Sequence, residues 1–298
     1  DQRHAELIVK ALGEAMQGKP LNNPGRRVKG EEENEESNAE VNAQQATLYR
    51  GIVARANYLS QDRSDIRFTV KELSRHMSKP RVRDVKSLVR LGKYLQGRER
   101  YVQEYKYQES TARDSNKYAN VWVDTDFAGC PETRRSTSGG VAMLNTHPIK
   151  SWAVTQVNIA LSSGEAEYYG LVKGASEGMA LKGIMSDLGI SGENVKIHLH
   201  TDAAAAVGMA SRRGVGKVRH IEVTQLWLQD KVCRSEITIH KVRGEDNIAD
   251  ALTKHVGREI LQKHIEATNQ FITSGRHPLA PKVETNSDDI IEEDYVEE

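Results

Sequence analysis

The chain has 298 residues, which suggests about two domains, and equal numbers of basic and acidic residues, 42 of each. The zero net charge hides a segregation: residues 31–40 and 284–298 are acidic runs, so the rest is basic, which favours contact with nucleic acid. The two cysteines exclude a disulfide framework and indicate a reducing compartment. No stretch approaches the roughly 20 apolar residues of a membrane span.

The first hundred residues are predicted to be mostly helical. We predict a short amphipathic helix over 3–14 and a flexible acidic linker up to residue 44, because residues 17–44 carry too few large apolar side chains to offset the entropy cost of ordering. Apolar residues at helical spacing then predict three helices within 45–98. They are Leu48, Ile52, Ala56 and Leu59; Ile66, Val70, Leu73 and Met77; and Val85, Leu88, Leu91 and Leu95.

The pattern changes after Gly97, where alternating or continuous apolar runs predict strands. The predicted strands are 101–108, 119–124, 138–144, 149–154, 195–202 and 236–242. The predicted helices are a long one over 164–188, one beginning at 203, one over 220–232 and a closing one over 247–256. Three strands in a meander followed by α/β units predict a mixed five-stranded sheet with helices on both faces. We expect a disordered tail after about residue 274.

Four acidic residues stand at corresponding places in this pattern. Asp124 ends the first strand of the sheet, Glu167 opens the long helix, Asp202 ends the fourth strand, and Asp250 opens the closing helix. Each also has an ordinary structural explanation, such as a strand end, an N-cap or an acid that complements a helix dipole. In the predicted topology the four places lie near one edge of the sheet. Carboxylate oxygens are the ligands that Mg²⁺ prefers. Four carboxylates that converge could therefore hold two Mg²⁺ ions about 4 Å apart, the arrangement that assists phosphodiester hydrolysis in nucleases.

Two of these acids have a competing neighbour. Asp126 lies two residues beyond Asp124 on the same strand face, so strand parity does not choose between them. Glu165 and Glu167 differ by about 200° around a helix, so only one can face the sheet. Glu167 leads the face of small and apolar residues, whereas Glu165 fits a capping box with Ser162.

The order and spacing of five segments resemble the RNase H domain of copia-type LTR retrotransposon Pol polyproteins. The segments span most of 118–257 and read VDTDFAGCPETRRSTSGGVAML, SSGEAEYYGL, HTDAAAAVGMA, KVRHIEVTQLWLQDKV and NIADALTK. The helical part resembles the end of the reverse transcriptase in the same polyproteins, on TLYRGIVARANYLSQDRSDIRFTVKELSRHMSKP and LVRLGKYLQG. The polymerase's two-aspartate motif is absent, so we expect no polymerase activity. We expect the chain, which starts DQRHAELIVKALG, to be a fragment of a longer protein.

The resemblance implies an α/β, RNase H-like mixed five-stranded sheet flanked by helices and preceded by a small helical subdomain. The implied domains are the helix and linker 1–44, a thumb- or connection-like end of the reverse transcriptase at 45–100, a connecting strand at 101–117, the RNase H-like domain at 118–257, and a C-terminal helix with a disordered acidic tail at 258–298. The implied activity is endonucleolytic cleavage of the RNA strand of RNA–DNA hybrids, leaving 5′-phosphate and 3′-hydroxyl ends. The implied partners are the hybrid and the polymerase domain of the same polyprotein, with no membrane, in a cytoplasmic virus-like particle or the nucleus.

The resemblance also implies that Asp124, Glu167, Asp202 and Asp250 are catalytic and bind two Mg²⁺ ions, with Mn²⁺ as a substitute. We expect Asp124 to bridge both ions, Glu167 and Asp202 to bind one, and Asp250 the other. Basic and hydroxyl side chains suited to phosphate contact are candidate nucleic-acid ligands, although solvated loops explain them equally well. They are Arg134, Arg135, Ser136, Thr137, Arg212, Arg213, Lys217, Arg219 and His220.

Two departures from related patterns bear on these expectations. The loop VRGEDN before Asp250 lacks the mobile His of many cellular RNases H, the nearest being His240 within a strand. The copia-type family commonly lacks this His, so its absence does not indicate inactivation. Ala203 stands where the family usually has an amide side chain, which weakens one expected substrate contact.

Two other functions remain as alternatives. One is a catalytically decayed nucleic-acid-binding or scaffold module with the same fold, against which the presence of all four acids argues. The other is a strand-transferase such as an integrase. Integrases place a Glu on a late helix and usually carry a zinc-binding His/Cys region, and the sequence has neither.

Overall fold

The computed structural model describes residues 2–27, 35–107, 117–189, 195–216, 218 and 220–281. They fall into two compact units. The first lies within 1–103, 255–266 and 270–298, and the second comprises 104–254 with 267–269.

The helices and strands are numbered in chain order. The helices are α1 Gln2–Leu12, α2 Glu35–Asn38, α3 Ala43–Leu59, α4 Arg67–Ser74, α5 Val82–Leu95, α6 Ser163–Asp187, α7 Ala204–Ala210, α8 Trp227–Cys233 and α9 Arg258–Ala267. The strands are β1 Tyr101–Gln103, β2 Lys117–Asp126, β3 Thr137–Leu144, β4 His147–Thr155, β5 Val195–Thr201, β6 Ile237–Lys241 and β7 Gln270–Ile272. In the described ranges, none of the helices has the length and apolar content that crossing a membrane would require.

The first unit is helical, and its apolar positions follow the spacing in the sequence. Helices α3, α4 and α5 confirm the three predicted helices. Ten of the twelve apolar residues named for them are buried, and Leu48 and Met77 are half-buried. Strands β1 and β7 pair antiparallel. At the centre Arg63 and Asp65 form a buried ion pair, with Nη2 and Oδ2 2.8 Å apart, to which the Tyr94 hydroxyl donates a further hydrogen bond.

The second unit is built on one five-stranded sheet with strand order β4-β3-β2-β5-β6. Strands β2, β3 and β4 form an antiparallel meander, and β5 and β6 run parallel to β2 and to each other. Helix α6 packs on one face, with Val121, Leu171 and Leu199 in the core beneath it. The mixed sheet with flanking helices confirms the predicted RNase H-like α/β fold.

Glycines let α6 lie close to the sheet. A Cβ atom at Gly174 would lie 2.5 Å from Val123 Cγ1, and one at Gly178 would lie 2.8 Å from Ile197 Cγ2. Side chains at these positions would hold the helix away from β2 and β5, because real Cβ contacts are longer. The close packing fixes the start of α6, near which Glu167 lies, at the end of β2.

Three predicted elements differ from the observed ones. The strand predicted over 101–108 is only β1 in the described residues, because it pairs with the three-residue β7. The helix predicted over 220–232 begins as a 3₁₀ helix, Val223–Leu226, before α8. The closing helix predicted over 247–256 is a 3₁₀ helix, Ile248–Leu252. Residues 31–34 of the acidic run, and residues 282–298 of the tail predicted after about residue 274, lie outside the described residues.

Candidate active site

Asp124 lies buried near the end of β2. Its side chain is 6% exposed, and its backbone pairs with Gly139 of β3. The Thr253 hydroxyl donates a short hydrogen bond to Asp124 Oδ2, and Lys254 Nζ lies 3.8 Å from the same oxygen. Burial raises the pKa of Asp124, the positive charge of Lys254 opposes this, and the negative charge of Asp250 adds to it.

The structure separates Asp124 from Asp126, which strand parity could not do. The Asp126 side chain lies against the turn that follows β2: a Cβ atom placed at Gly129 would lie only 1.8 Å from Asp126 Oδ2. Asp124, in contrast, contacts residues more than a hundred positions further along the chain. Asp124 is therefore the carboxylate at the end of β2 that accepts a hydrogen bond from the last acidic segment, while Asp126 acts on Lys254 of that segment through its charge.

A glycine on β3 brings that last segment onto the sheet. A Cβ at Gly139 would lie 2.7 Å from both Leu252 O and Thr253 Cγ2, so the 3₁₀ helix Ile248–Leu252 packs directly on the β3 backbone. A side chain at this position would displace the segment. Because Gly139 has no side chain, Thr253 and Lys254 can approach Asp124.

Asn247 joins this segment to two strands. Its buried amide nitrogen donates to Val123 O at 2.9 Å and to Asp202 Oδ1 at 3.4 Å. Its Oδ1 accepts from Ala249 N at 3.2 Å and so caps the 3₁₀ helix that carries Asp250. One side chain thus ties together β2, the carboxylate that follows β5, and the last acid.

Glu167 lies half-buried near the start of α6, just after its first turn. Its Oε2 is buried and has no hydrogen-bond partner among the described residues. Burial, followed by the negative charges of Asp124 and Asp202, raises the pKa of Glu167 to about 9. The carboxylates of β2, α6, β5 and the last segment therefore share one electrostatic environment, because Asp250 acts in turn on Asp124.

The neighbouring Glu165 has a different environment from the one predicted. The Ser162 hydroxyl accepts from Glu165 N at 3.2 Å, but the Glu165 carboxylate accepts from Leu161 N at 3.0 Å. The predicted capping box is therefore only half formed. The carboxylate also accepts from the Tyr169 hydroxyl and pairs with His220 Nε2, each at 2.8 Å. These bonds, His220 foremost, lower the pKa of Glu165 although burial opposes them.

The four acids suit a divalent cation in their chemistry but are not arranged as a finished shell. Hard cations prefer carboxylate oxygens, and the unpartnered Oε2 of Glu167 is a free ligand atom. Yet no group of three or more His, Cys, Asp or Glu side chains in the described part of the chain is arranged to hold a metal ion. Instead, Lys254 Nζ lies 2.9 Å from Asp250 Oδ1 and 3.8 Å from Asp124 Oδ2. Asp124 and Asp250 raise the pKa of Lys254 against the effect of burial.

The candidate nucleic-acid ligands of the first hairpin divide into two pairs. Arg134 and Arg135 are exposed in the turn between β2 and β3. Ser136 and Thr137 are buried at the start of β3, and the Ser136 hydroxyl accepts from Ala128 N at 3.0 Å. The two arginines are therefore the members of this set that face solvent.

The second candidate set lies before α8. Arg212 donates to Val215 O at 2.7 Å, whereas exposed Arg213 contacts Cys233 Sγ at 3.3 Å. The His220 ring is held by Glu165 with its side chain 45% exposed. Lys217 and Arg219 lie outside the described residues.

The sequence analysis did not predict three residues that contact the acids: Asn247, Thr253 and Lys254. One signal was available for Lys254, since an acid and a lysine four residues apart form a common helical pair. No comparable signal marks Thr253, because its partner Asp124 is 129 residues away.

Comparison with known proteins finds homologues, although no family model matches the chain. The retrovirus-related Pol polyproteins from transposons RE1 and RE2 of Arabidopsis thaliana are each 27% identical over 216 residues, which is 72% of this chain. The chain is a homologue of the retrovirus-related Pol polyproteins of copia-like transposons. These homologues confirm the resemblance to Pol polyproteins that the sequence segments indicated. The match spans 14% of the length of each of these two Pol polyproteins.

A solved structure, that of LC11-RNase H1 isolated from compost, is also similar to this Pol homologue. It is 17% identical and covers 51% of this chain and 99% of its own, with a TM-score of 0.27. Since a score this low describes a distant superposition, the fold rests on the strand order and pairing of the chain itself.

Proposed function

We propose that the second unit is an endoribonuclease that cleaves the RNA strand of RNA–DNA hybrids by metal-assisted hydrolysis, as part of a retrotransposon Pol polyprotein. One observation carries the proposal. Carboxylates from four separate chain segments lie close enough that their charges add to burial in raising the pKa of Glu167 and Asp124. Proteins seldom bury negative charges together unless a cation compensates them. Homology to Pol polyproteins supports the same reading.

Asp124, Glu167, Asp202 and Asp250 would hold two Mg²⁺ ions, or Mn²⁺ in their place. Bound ions of this kind supply a water of lowered pKa and stabilise charge on the leaving oxygen. The protein's part is to hold the ligand oxygens. Thr253 fixes one oxygen of Asp124, and Asn247 fixes Asp202 relative to β2.

The exposed arginines would hold the substrate. Arg134 and Arg135 in the hairpin and Arg213 before α8 present guanidinium groups suited to phosphate oxygens. Phosphate contacts position a duplex without reading its sequence, whereas 2′-hydroxyls and groove shape distinguish a hybrid from DNA. We further propose that the polymerase domain of the same polyprotein delivers the hybrid, in a virus-like particle or the nucleus.

A cleavage assay with a matched variant tests the proposal. Labelled RNA–DNA hybrid, RNA duplex and DNA duplex are incubated with the chain in Mg²⁺ or EDTA, and D124N is compared with D126N. We expect hybrid cleavage that needs Mg²⁺, a loss of at least about 100-fold in D124N, and near wild-type rates in D126N, because losing a metal ligand costs more than disturbing a neighbour. Full activity in D124N would refute the assignment of that residue.

The same assay separates the other two functions. Hybrid binding without cleavage, together with no Mg²⁺ or Mn²⁺ binding by calorimetry, would show a decayed binding module. Nicking of the DNA duplex without cleavage of the hybrid would indicate a strand-transferase.

A further inference from the structure

A lysine ammonium lies beside two of the four carboxylates. Lys254 Nζ is 2.9 Å from Asp250 Oδ1 and 3.8 Å from Asp124 Oδ2. The charge of Lys254 acts on Glu167 as well. The carboxylates of Asp124 and Asp250 are 6% and 16% exposed, whereas the lysine side chain is 45% exposed. The positive charge thus reaches the acids from the solvent side on a long flexible stem.

The position of this ammonium bears on cation binding. At 2.9 Å the ammonium donates to Asp250 Oδ1, an oxygen that a metal ion would also need, so the two cations compete for it. At 3.8 Å from Asp124 Oδ2 the ammonium acts on that carboxylate through its charge. Lys254 lies two residues beyond the end of the 3₁₀ helix that carries Asp250, which keeps its side chain beside this partner. Its exposure gives the side chain a path into solvent when a stronger cation arrives.

We propose that Lys254 is a built-in counter-cation: it holds Asp124 and Asp250 together in the metal-free protein and is displaced by the metal ion that binds between them. The inference rests on the proposed function for the identity of the metal site. Its consequence is a trade-off. The metal-free protein is stabilised, while affinity for the ion at this position is lowered, so loading depends on the free metal concentration.

Metal binding without substrate tests the inference. Mg²⁺ and Mn²⁺ are titrated by calorimetry into the full chain as wild type, K254M and K254R, and melting temperatures are measured in EDTA. Because a unit charge within about 4 Å of the ion is removed, we expect K254M to bind Mg²⁺ on the order of tenfold more tightly. We expect K254M to melt a few degrees lower in EDTA, and K254R, which keeps the charge, to resemble the wild type.

The matched control is K173M. Lys173 has 40% exposure and pairs with Glu177 at i, i+4 spacing with a 2.7 Å contact, on α6. It reproduces the loss of a partly exposed lysine and of an ion pair between residues four apart, away from the four acids, so its Mg²⁺ affinity should equal that of the wild type.

The outcomes separate this inference from the proposed function. If the wild type binds Mg²⁺ and cleaves hybrid while K254M binds Mg²⁺ no more tightly, the role of Lys254 is overturned and the function stands. Weaker Mg²⁺ binding by K254M would likewise overturn it. If the wild type neither binds Mg²⁺ nor cleaves hybrid, the proposed function fails, and the displacement of Lys254 by metal fails with it.

Discussion

The close approach of α6 to the sheet predicts opposite effects for two glycine substitutions on one helix. A Cβ at Gly174 would lie 2.5 Å from Val123 Cγ1 and 3.3 Å from Val121 Cγ1, short of the 3.4–4 Å of ordinary contact. At Gly183 no atom lies within 4 Å of the added Cβ. Helix propensity favours alanine over glycine equally at both positions, by about 1 kcal/mol. The difference between G174A and G183A therefore isolates the cost of overpacking.

Overpacking a well-packed core costs about 1–3 kcal/mol. G183A should therefore be more stable than the wild type by about 1 kcal/mol. G174A should be less stable than G183A by about 1–3 kcal/mol, which for a unit of this size is roughly 2–12 °C in melting temperature. Differential scanning calorimetry of the three proteins measures this directly.

The result also bears on the site. Val123 precedes Asp124, so the shift forced by G174A moves the strand end that carries the proposed ligand, and G174A should lose hybrid cleavage that G183A retains. Equal melting temperatures for G174A and G183A would refute the packing argument.

Two further predictions concern buried polar groups. Burial, with the nearby His240 and His198, lowers the pKa of His200 to about 4, so the unfolded chain binds more protons below pH 6.5 and stability is lost as pH falls from there towards 4. Urea unfolding should show that this group lowers the free energy of unfolding by about 1 kcal/mol between pH 7 and pH 5, after discounting its partial exposure. H200Q should lack that part of the decrease. The same decrease in H200Q and the wild type would contradict the prediction. N247A should cost about 1–3 kcal/mol by urea unfolding, because Val123 O loses its buried donor; a neutral effect would show that the bond contributes little.

Much of the second unit could be predicted from local sequence. Alternation in β2 places Ala119, Val121 and Val123 beneath α6 and leaves Trp122 and Asp124 on the other face. The order of strands and helices was sufficient to predict the mixed sheet. These features depend on side-chain period and connection rules, which act over a few residues or one crossover.

The details of the candidate site could not be predicted in the same way, because they depend on contacts between distant segments. Asp124 and Asp126 are equivalent in strand parity, and only the approach of Thr253 and Lys254 distinguishes them. Glu165 fits a local capping box in sequence, but its carboxylate bonds to His220, 55 residues away.

The predicted nucleic-acid ligands show the same limit. Ser136 lies within a polar hairpin sequence, where a hydroxyl suggests phosphate contact. The structure buries it, and its oxygen accepts the Ala128 N–H that closes the turn. A turn residue can serve either purpose, and only the tertiary structure shows which.

In the proposed site, carboxylates from four distant segments hold divalent cations together. Anomalous scattering from crystals of the full chain saturated with Mn²⁺ shows directly where such cations bind. We expect Mn²⁺ peaks within bonding distance of the carboxylate oxygens of Asp124, Glu167, Asp202 and Asp250, with Lys254 Nζ moved away from Asp250. Mn²⁺-saturated crystals with no peak at these carboxylates would contradict this proposal.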